Sequence, residues 1–316
     1  MIYTSSMKIS LGSFFSKNHP APPIQRNHEI LISSNCQTGG LLAALKGIFP
    51  SRDIGVLSFP NSDDTEAVEP FRRALEGARV WITTDRPELC GDMPIEIIRI
   101  PDLNFNAFHP DMREAISVTT NSLTLPHNNS QIAVWAYNNQ ISKSDAVELF
   151  NHDVFKALGY FDRWRHSVAA MRTRFASAGI GTEEFERFFL RIKRMGQFMY
   201  TFNHPRIEAL VELARIVARR LGADSKLVER EIVVPDALTY TLWALYPEIG
   251  EELGLRGNYH WRLNCADTIY DLYGVEAYLD FAYQSYATQG IRPTEVKCRR
   301  PTPNLDEILS QRMNSR

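Results

Sequence analysis

The chain has little that would staple or anchor it. Its four cysteines, Cys36, Cys90, Cys265 and Cys298, lie far apart among 316 residues, with no CxxC pair and no Cys/His spacing of a zinc site. That excludes a disulfide framework and a structural metal, and suits a reducing cytoplasm. No apolar run approaches the ~18 to 20 residues that span a bilayer. Neither sign of charge is in excess: 35 basic and 37 acidic side chains leave a formal net charge of -2, so no global field draws the protein onto nucleic acid. A Walker GxxxxGK[ST] loop, a GxSxG elbow, an HExxH helix and a GxGxxG turn after the first strand are all missing. Kinase, zinc-protease and ordinary dehydrogenase chemistries fall with them. There is also no repeat of fixed period and no low-complexity tract.

What is present begins with a loose N-terminal arm, residues 1–27, which lacks the continuous apolar core of a signal peptide. From His28 the pattern alternates. His28–Ser34, Ile54–Phe59, Ala78–Thr83 and Ile95–Ile100 are short apolar runs that read as strands, and Gln131–Tyr137 reads as a late strand. Thr38–Ile48 and Asp64–Gly77 between them carry helical spacing. Strands alternating with helices imply a parallel sheet covered on both faces. Residues 28–141 are therefore expected to form an open, mostly parallel α/β domain of Rossmann or SGNH type. From 142 to 316 the spacing becomes three and four residues, with segments starting near Ser144, Thr182, Pro205, Asp224, Asp236 and Asn264, and this half is expected to be mainly helical. The Pro-bearing stretch Arg292–Pro303 reads as an extended closing segment.

Four groups of residues can carry chemistry. Asn35-Cys36-Gln37-Thr38-Gly39-Gly40 stands where the first strand hands over to its helix, the edge at which open α/β sheets bind ligands. Amides at a helix N-terminus stabilise negative charge and lower a nearby thiol pKa, and with Gln37 or Asn35 they can hold an oxyanion. A buried structural cysteine followed by a glycine-rich turn accounts for the same residues. Tyr200-Thr201-Phe202-Asn203-His204-Pro205-Arg206 places His204 just before a helix opened by Pro205. An imidazole there is suited to proton transfer, although many histidines before a proline are plain loop residues.

Asp102–Asp111 (DLNFNAFHPD) gathers Asn104, Asn106, His109 and Asp111 among aromatics. Such a segment suits a sugar or a pantetheine amide, and also an ordinary turn. Arg187, Arg191 and Arg194 share one helical face with Lys193 nearby, and Arg163, Arg165, Arg172 and Arg174 form a second basic cluster. Either can meet phosphate or simply face water.

With Asn35-Cys36-Gln37, Asn104–Asp111 and Asn203-His204-Pro205 in that order, the chain resembles the WcbI-type capsular polysaccharide biosynthesis family over about His28 to Leu221. The resemblance implies an α/β domain joined to a helical one, coenzyme A bound between them, and acetyl transfer onto a capsule sugar. The first and last motifs also look like a variant of the SGNH hydrolase scheme. Cysteine replaces the usual serine, and Thr201 stands where that scheme has its acid, three residues before the histidine.

The resulting expectation is an acyl-CoA-dependent O-acetyltransferase with small-molecule partners, acetyl-CoA and a saccharide, and no metal. Catalysis is assigned to Cys36, His204 and Gln37. Coenzyme A is assigned to Asn35, Thr38, Gly39, Asn203, Tyr200, Arg191, Arg194 and Arg206, and the acceptor to Asn104, Asn106, His109 and Asp111. An ester or thioester hydrolase built on Cys36 and His204 is the alternative, followed by a non-catalytic coenzyme A- or glycan-binding protein.

Overall fold

The computed structural model describes residues 28–61, 66–265 and 268–315; the expected arm, 1–27, lies outside them. The first unit is a sheet of four parallel strands, β1 (Ile30–Ser33), β2 (Ile54–Val56), β3 (Val80–Thr83) and β4 (Glu96–Arg99), with α1 (Thr38–Ile48) between β1 and β2 and α2 (Val68–Leu75) between β2 and β3. The order β2-β1-β3-β4 reverses direction between β1 and β3. A crevice opens at the carboxyl edge where such an order reverses.

Period-two alternation explains how both faces are covered. Ile30, Ile32, Val80 and Ile82 point into the main core with Leu41, Ala44, Leu45 and Ile48 of α1. Leu31 and Trp81 point the other way, into a smaller core with Phe71 and Leu75 of α2.

Beyond β4 the chain forms a hairpin, β5 (Met112–Ser117) with β6 (Leu123–Ser130). Helices follow: α3 (Gln131–Asn138), α4 (Lys143–Val147), α5 (His152–Ala157), α6 (Arg163–Ser177), α7 (Thr182–Arg194), α8 (Ile207–Arg220), α9 (Ser225–Val228) and α10 (Pro247–Glu252). A second hairpin, β7 (His260–Cys265) with β8 (Thr268–Tyr273), precedes α11 (Val275–Thr288), β9 (Val296–Cys298) and α12 (Leu305–Asn314). The strand within the extended 292–303 stretch is β9, which pairs antiparallel with the edge of β5.

Three expectations need correction. Residues 131–137 form α3 rather than a strand: Ser130 caps the helix by accepting from the Ala133 amide at 3.1 Å, and every residue from Gln131 to Ala136 is buried. A short, wholly buried apolar run has no period by which to tell strand from helix. The segment around Asn264 is the β7–β8 hairpin rather than a helix, and Asp236 opens a turn rather than a helix.

The two halves meet chiefly where α1 packs on α8. Gly40 is the reason they come so close: a Cβ built there lies 2.4 Å from Leu210 Cδ1 and 3.4 Å from Ile207 Cδ1. Among the described residues no helix is long and apolar enough to cross a membrane.

Candidate functional site

Four stretches converge at the carboxyl edge of the parallel sheet: the β1–α1 turn, the segment after β4, the loop before α8, and residues 236–243. The turn winds tightly at Asn35. Its Oδ1 accepts from the Gln37 amide at 3.0 Å, and its backbone oxygen accepts from the Thr38 amide at 3.1 Å and the Thr38 hydroxyl at 2.8 Å. Cys36 is left half-buried at the tip. Gly39 is exposed, with open space where a side chain would stand.

After β4, burial alternates along residues 101–107, with Leu103, Phe105 and Ala107 buried and Asp102, Asn104 and Asn106 only half-buried. Two bonds hold this stretch: the Phe105 amide donates to Phe202 O at 2.7 Å, and the Leu103 amide to Gln37 Oε1 at 3.0 Å. Arg174 of α6 donates to the Asn104 backbone oxygen, and the Asn104 amide donates to Asp102.

The loop before α8 is closed at its base by the Arg206 amide donating to Phe198 O at 2.9 Å and the Tyr200 amide to His204 O at 2.7 Å. Its tip is folded around Thr201, whose hydroxyl oxygen accepts from the His204 amide at 3.1 Å and donates to Asn203 Oδ1 at 3.0 Å. Thr201 thus shapes the turn that carries the histidine and makes no bond to the imidazole. Asp236 locks the same loop from outside, accepting from the Tyr200 hydroxyl at 3.0 Å, the Ile207 amide at 2.9 Å and the Leu238 amide at 3.1 Å.

This arrangement brings the two reactive stretches together. Cys36 Sγ lies 3.7 Å from Asn203 O, 3.9 Å from Asn203 Nδ2 and 3.9 Å from Asn35 Oδ1. The Tyr240 ring meets the His204 ring edge-on at 5.4 Å between centroids.

Electrostatics correct the expected thiolate. Burial pushes the Cys36 thiol up to about 11, with the nearby Asp102 carboxylate adding to the rise; the residue's own amide opposes them without prevailing. Desolvation at this turn therefore outweighs the helix terminus. Burial also holds His204 down at about 4, and among the described residues its buried Nδ1 has no hydrogen-bond partner. At neutral pH the site holds a neutral thiol and a neutral imidazole.

Gln37 is corrected as well. Its Nε2 donates to Leu103 O and to Asn203 O, each at 3.0 Å, and its Oε1 accepts from Leu103, so the amide clasps the three loops together and has no donor left for an oxyanion. His109 and Asp111 face inward rather than toward an acceptor. His109 Nε2 pairs with Trp243 O at 3.1 Å, and burial lowers its pKa to about 3. The Asp111 carboxylate accepts from the Tyr160 and Tyr246 hydroxyls at 2.7 Å each, while burial raises its pKa.

Arg191 bridges Glu212 and Glu229 at 3.0 Å each, beside a cleft of about 250 Å³ that Arg187, Arg219 and these two glutamates also line. Its charge is thus met by carboxylates that tie α7 to α8, which is a poor start for a phosphate ligand. Arg194 is exposed near the end of the same helix. Arg206 stays at the site, stacked over the Tyr200 ring at 5.3 Å.

Asp102, Arg174, Asp236 and Tyr240 were not among the expected site residues. Asp102 and Arg174 belonged to stretches already singled out, whereas the turn at 236–240 carries no motif.

The family model described as "Polysaccharide biosynthesis enzyme WcbI" matches residues 29–226, a stretch that contains Cys36, the 101–107 segment and the His204 loop. A solved structure of WcbI, described as a novel polysaccharide biosynthesis enzyme in its native form without a disulfide bond between CoA and a cysteine, aligns with a TM-score of 0.61 at 13% identity. The alignment covers 92% of this chain and 96% of that one, and at that identity it speaks for the fold. No curated protein sequence matches the chain.

Proposed function

The chain belongs to the family of the polysaccharide biosynthesis enzyme WcbI, and from that premise we propose that it is an acyl-CoA-dependent O-acetyltransferase acting on a saccharide during assembly of a capsular or related surface polysaccharide. The observation that carries the reading is the approach of Cys36 Sγ to within 3.7 Å of the backbone oxygen of Asn203, the residue before His204. That a solved WcbI structure is described in terms of CoA and a cysteine supports coenzyme A as the acyl carrier.

The residues fit such a ligand. Among the described residues, Asn104 Oδ1, Asn106 Oδ1, Arg174 Nε, Arg206 Nε and His204 Nδ1 are buried without a hydrogen-bond partner, and buried polar atoms are rarely left so unless something else satisfies them. Arg206 and Arg174 suit the phosphates of coenzyme A, with Asn35, Thr38, Gly39, Tyr200 and Asn203 around its pantetheine end. Asn104 and Asn106 offer carbonyl oxygens to sugar hydroxyls.

The charge states favour direct transfer over an acyl-cysteine. A thiol held near 11 is almost wholly protonated at neutral pH, so it is a weak nucleophile. His204 is unprotonated at neutral pH and can accept the proton of the acceptor hydroxyl as that oxygen attacks the thioester carbonyl, as a base weakened by the burial that holds it near 4. Cys36 then shapes the thioester end of the crevice.

The test is transfer from acetyl-CoA to a panel of saccharides, read by mass spectrometry of product and protein. O-acetylated sugar without acetylated Cys36 is the expected result, and His204→Ala should lower turnover at least about 100-fold while coenzyme A affinity changes little. Consumption of acetyl-CoA with no acceptor requirement would make the protein a thioesterase. Thermal stabilisation by coenzyme A without any turnover would make it a binding protein.

A further inference from the structure

A proton-transferring histidine works only if its ring keeps one place and angle, and the sequence around His204 supplies little to hold it. Thr201, three residues before it, bonds the backbone amides of Asn203 and His204 and the Asn203 side chain, and leaves the imidazole alone. The helix that follows, α8, begins at Ile207, and its N-cap residue, Arg206, makes no side-chain cap. An arginine has no acceptor atom with which to do so. The first-turn amides of α8 therefore need an oxygen from elsewhere in the chain.

Asp236 brings that oxygen. Its Oδ2 accepts from the Ile207 amide at 2.9 Å and from the Tyr200 hydroxyl at 3.0 Å. Tyr200 and Ile207 bracket the loop that carries His204, so a single oxygen ties the loop at both ends. The other oxygen, Oδ1, accepts from the Leu238 amide at 3.1 Å, which fixes the plane of the carboxylate, and Leu238 itself is buried. A negative charge is also favoured at a helix N-terminus. Residues 231–236 lie in no helix or strand and, among the described residues, make no backbone–backbone hydrogen bond. The Asp236 side chain is thus the polar tie between this stretch and the site. Further along the same turn, the Tyr240 ring rests edge-on against His204 at 5.4 Å between centroids, so the turn that Asp236 anchors also gives the imidazole one of its walls.

We infer that Asp236 is the positioning residue of His204, clamping both ends of its loop from a remote segment in place of an acid within the histidine motif. For its effect on turnover the inference rests on the acetyltransferase reading; for the clamp it rests on the hydrogen bonds alone. Asp236 acts on the loop and not on the ring's charge: burial is the cause of the lowered His204 pKa.

Asp236→Asn keeps the size of the side chain and turns one acceptor oxygen into a donor, so the three groups that now donate to Asp236 cannot all be met. Thermal melts first establish that the variant is folded. In the full chain with histidine labelled with 13C at Cε1, the His204 signal, assigned by its absence in His204→Ala, should move or broaden in Asp236→Asn. The signal of His28, just before β1 at the other edge of the sheet, should stay in place. Turnover from acetyl-CoA should fall about 10- to 100-fold, mostly in kcat. In a His204→Ala background the same substitution should change the residual rate less than about two-fold, because a residue that acts through the histidine has nothing left to position. Asp236→Glu, which keeps both acceptor oxygens, should retain more turnover than Asp236→Asn, and carries the same comparison if the Asn variant does not fold. An unmoved His204 signal, or equal losses with and without His204, would overturn Asp236 as the positioning residue and leave the acetyltransferase reading standing. A parent protein that transfers to no acceptor would remove that reading, and the His204 signal then decides the clamp by itself.

Discussion

Gln37 Nε2 donates to the backbone oxygen of Asn203 at 3.0 Å, joining the turn after β1 to the loop before α8 across 166 positions of sequence. The same amide grips Leu103 through both its nitrogen and its oxygen. One side chain that is 2% exposed therefore sets the distance between Cys36 and the histidine loop. Gln37→Ala leaves two carbonyls and one amide without this partner, and should cost about 2 to 4 kcal/mol of stability, measured by urea unfolding. Normal stability with lost activity would instead put the amide on the substrate.

The glycine pair separates packing from ligand access. Gly40→Ala drives a methyl into Leu210 at the α1–α8 seam and should destabilise by about 1 to 3 kcal/mol. Gly39→Ala meets nothing within 4 Å and should be neutral or stabilising by up to about 1 kcal/mol. If coenzyme A passes over this turn, Gly39→Ala weakens its binding with no loss of stability. Isothermal titration and thermal melts on the two variants decide it.

The raised thiol predicts slow chemistry at Cys36. With its pKa near 11 instead of the ordinary 9.0, about 100-fold less thiolate is present at pH 7 than for an unperturbed cysteine. The rate of iodoacetamide labelling at Cys36, followed by peptide mass spectrometry, should still be climbing at pH 10. A plateau below pH 8 would mean that a thiolate is stabilised after all, and would restore the covalent route.

Acid should unfold the protein early. His204 and His109 both have folded pKa values, about 4 and about 3, below their ordinary 6.5. Between 6.5 and those values the unfolded chain binds protons that the folded chain refuses, so stability is full above pH 6.5 and drains as pH falls. By pH 4 each histidine accounts for about 3 kcal/mol. Asp111, raised by burial, works in the opposite direction and offsets part of the loss. Urea midpoints between pH 7 and 4 should therefore drop steeply, and His109→Asn should flatten the slope. A flat profile in the parent protein would mean that both imidazoles reach water.

Much of the fold was legible because its signals are local. Thr38–Ile48 carries its own helical spacing and is α1 at the same boundaries, and the four parallel strands fall within the four apolar runs. The misses have two causes. Gln131–Ala136 is buried all round and so shows no face, while the β7–β8 hairpin is held by pairing between its two strands that no single segment announces. At the site, Cys36 and Gln37 of the first motif meet Asn203 of the other. The segment 102–111 was read as one polar surface, whereas the structure turns it. Asn104 and Asn106 lie on its half-buried side, and His109 and Asp111 on its inner one, because extended chain alternates only until the backbone bends.

The order of residues alone determined that a cysteine would end up at the carboxyl edge of a parallel sheet, since a buried strand, a tight polar turn and a helix with its own periodicity admit little else. What only the tertiary structure decided is the state of that cysteine. Its environment comes from Asp102 and from the Asn203 loop, remote stretches whose approach removes water from the sulfur, and desolvation by distant chain outweighs the helix terminus that the local sequence supplies.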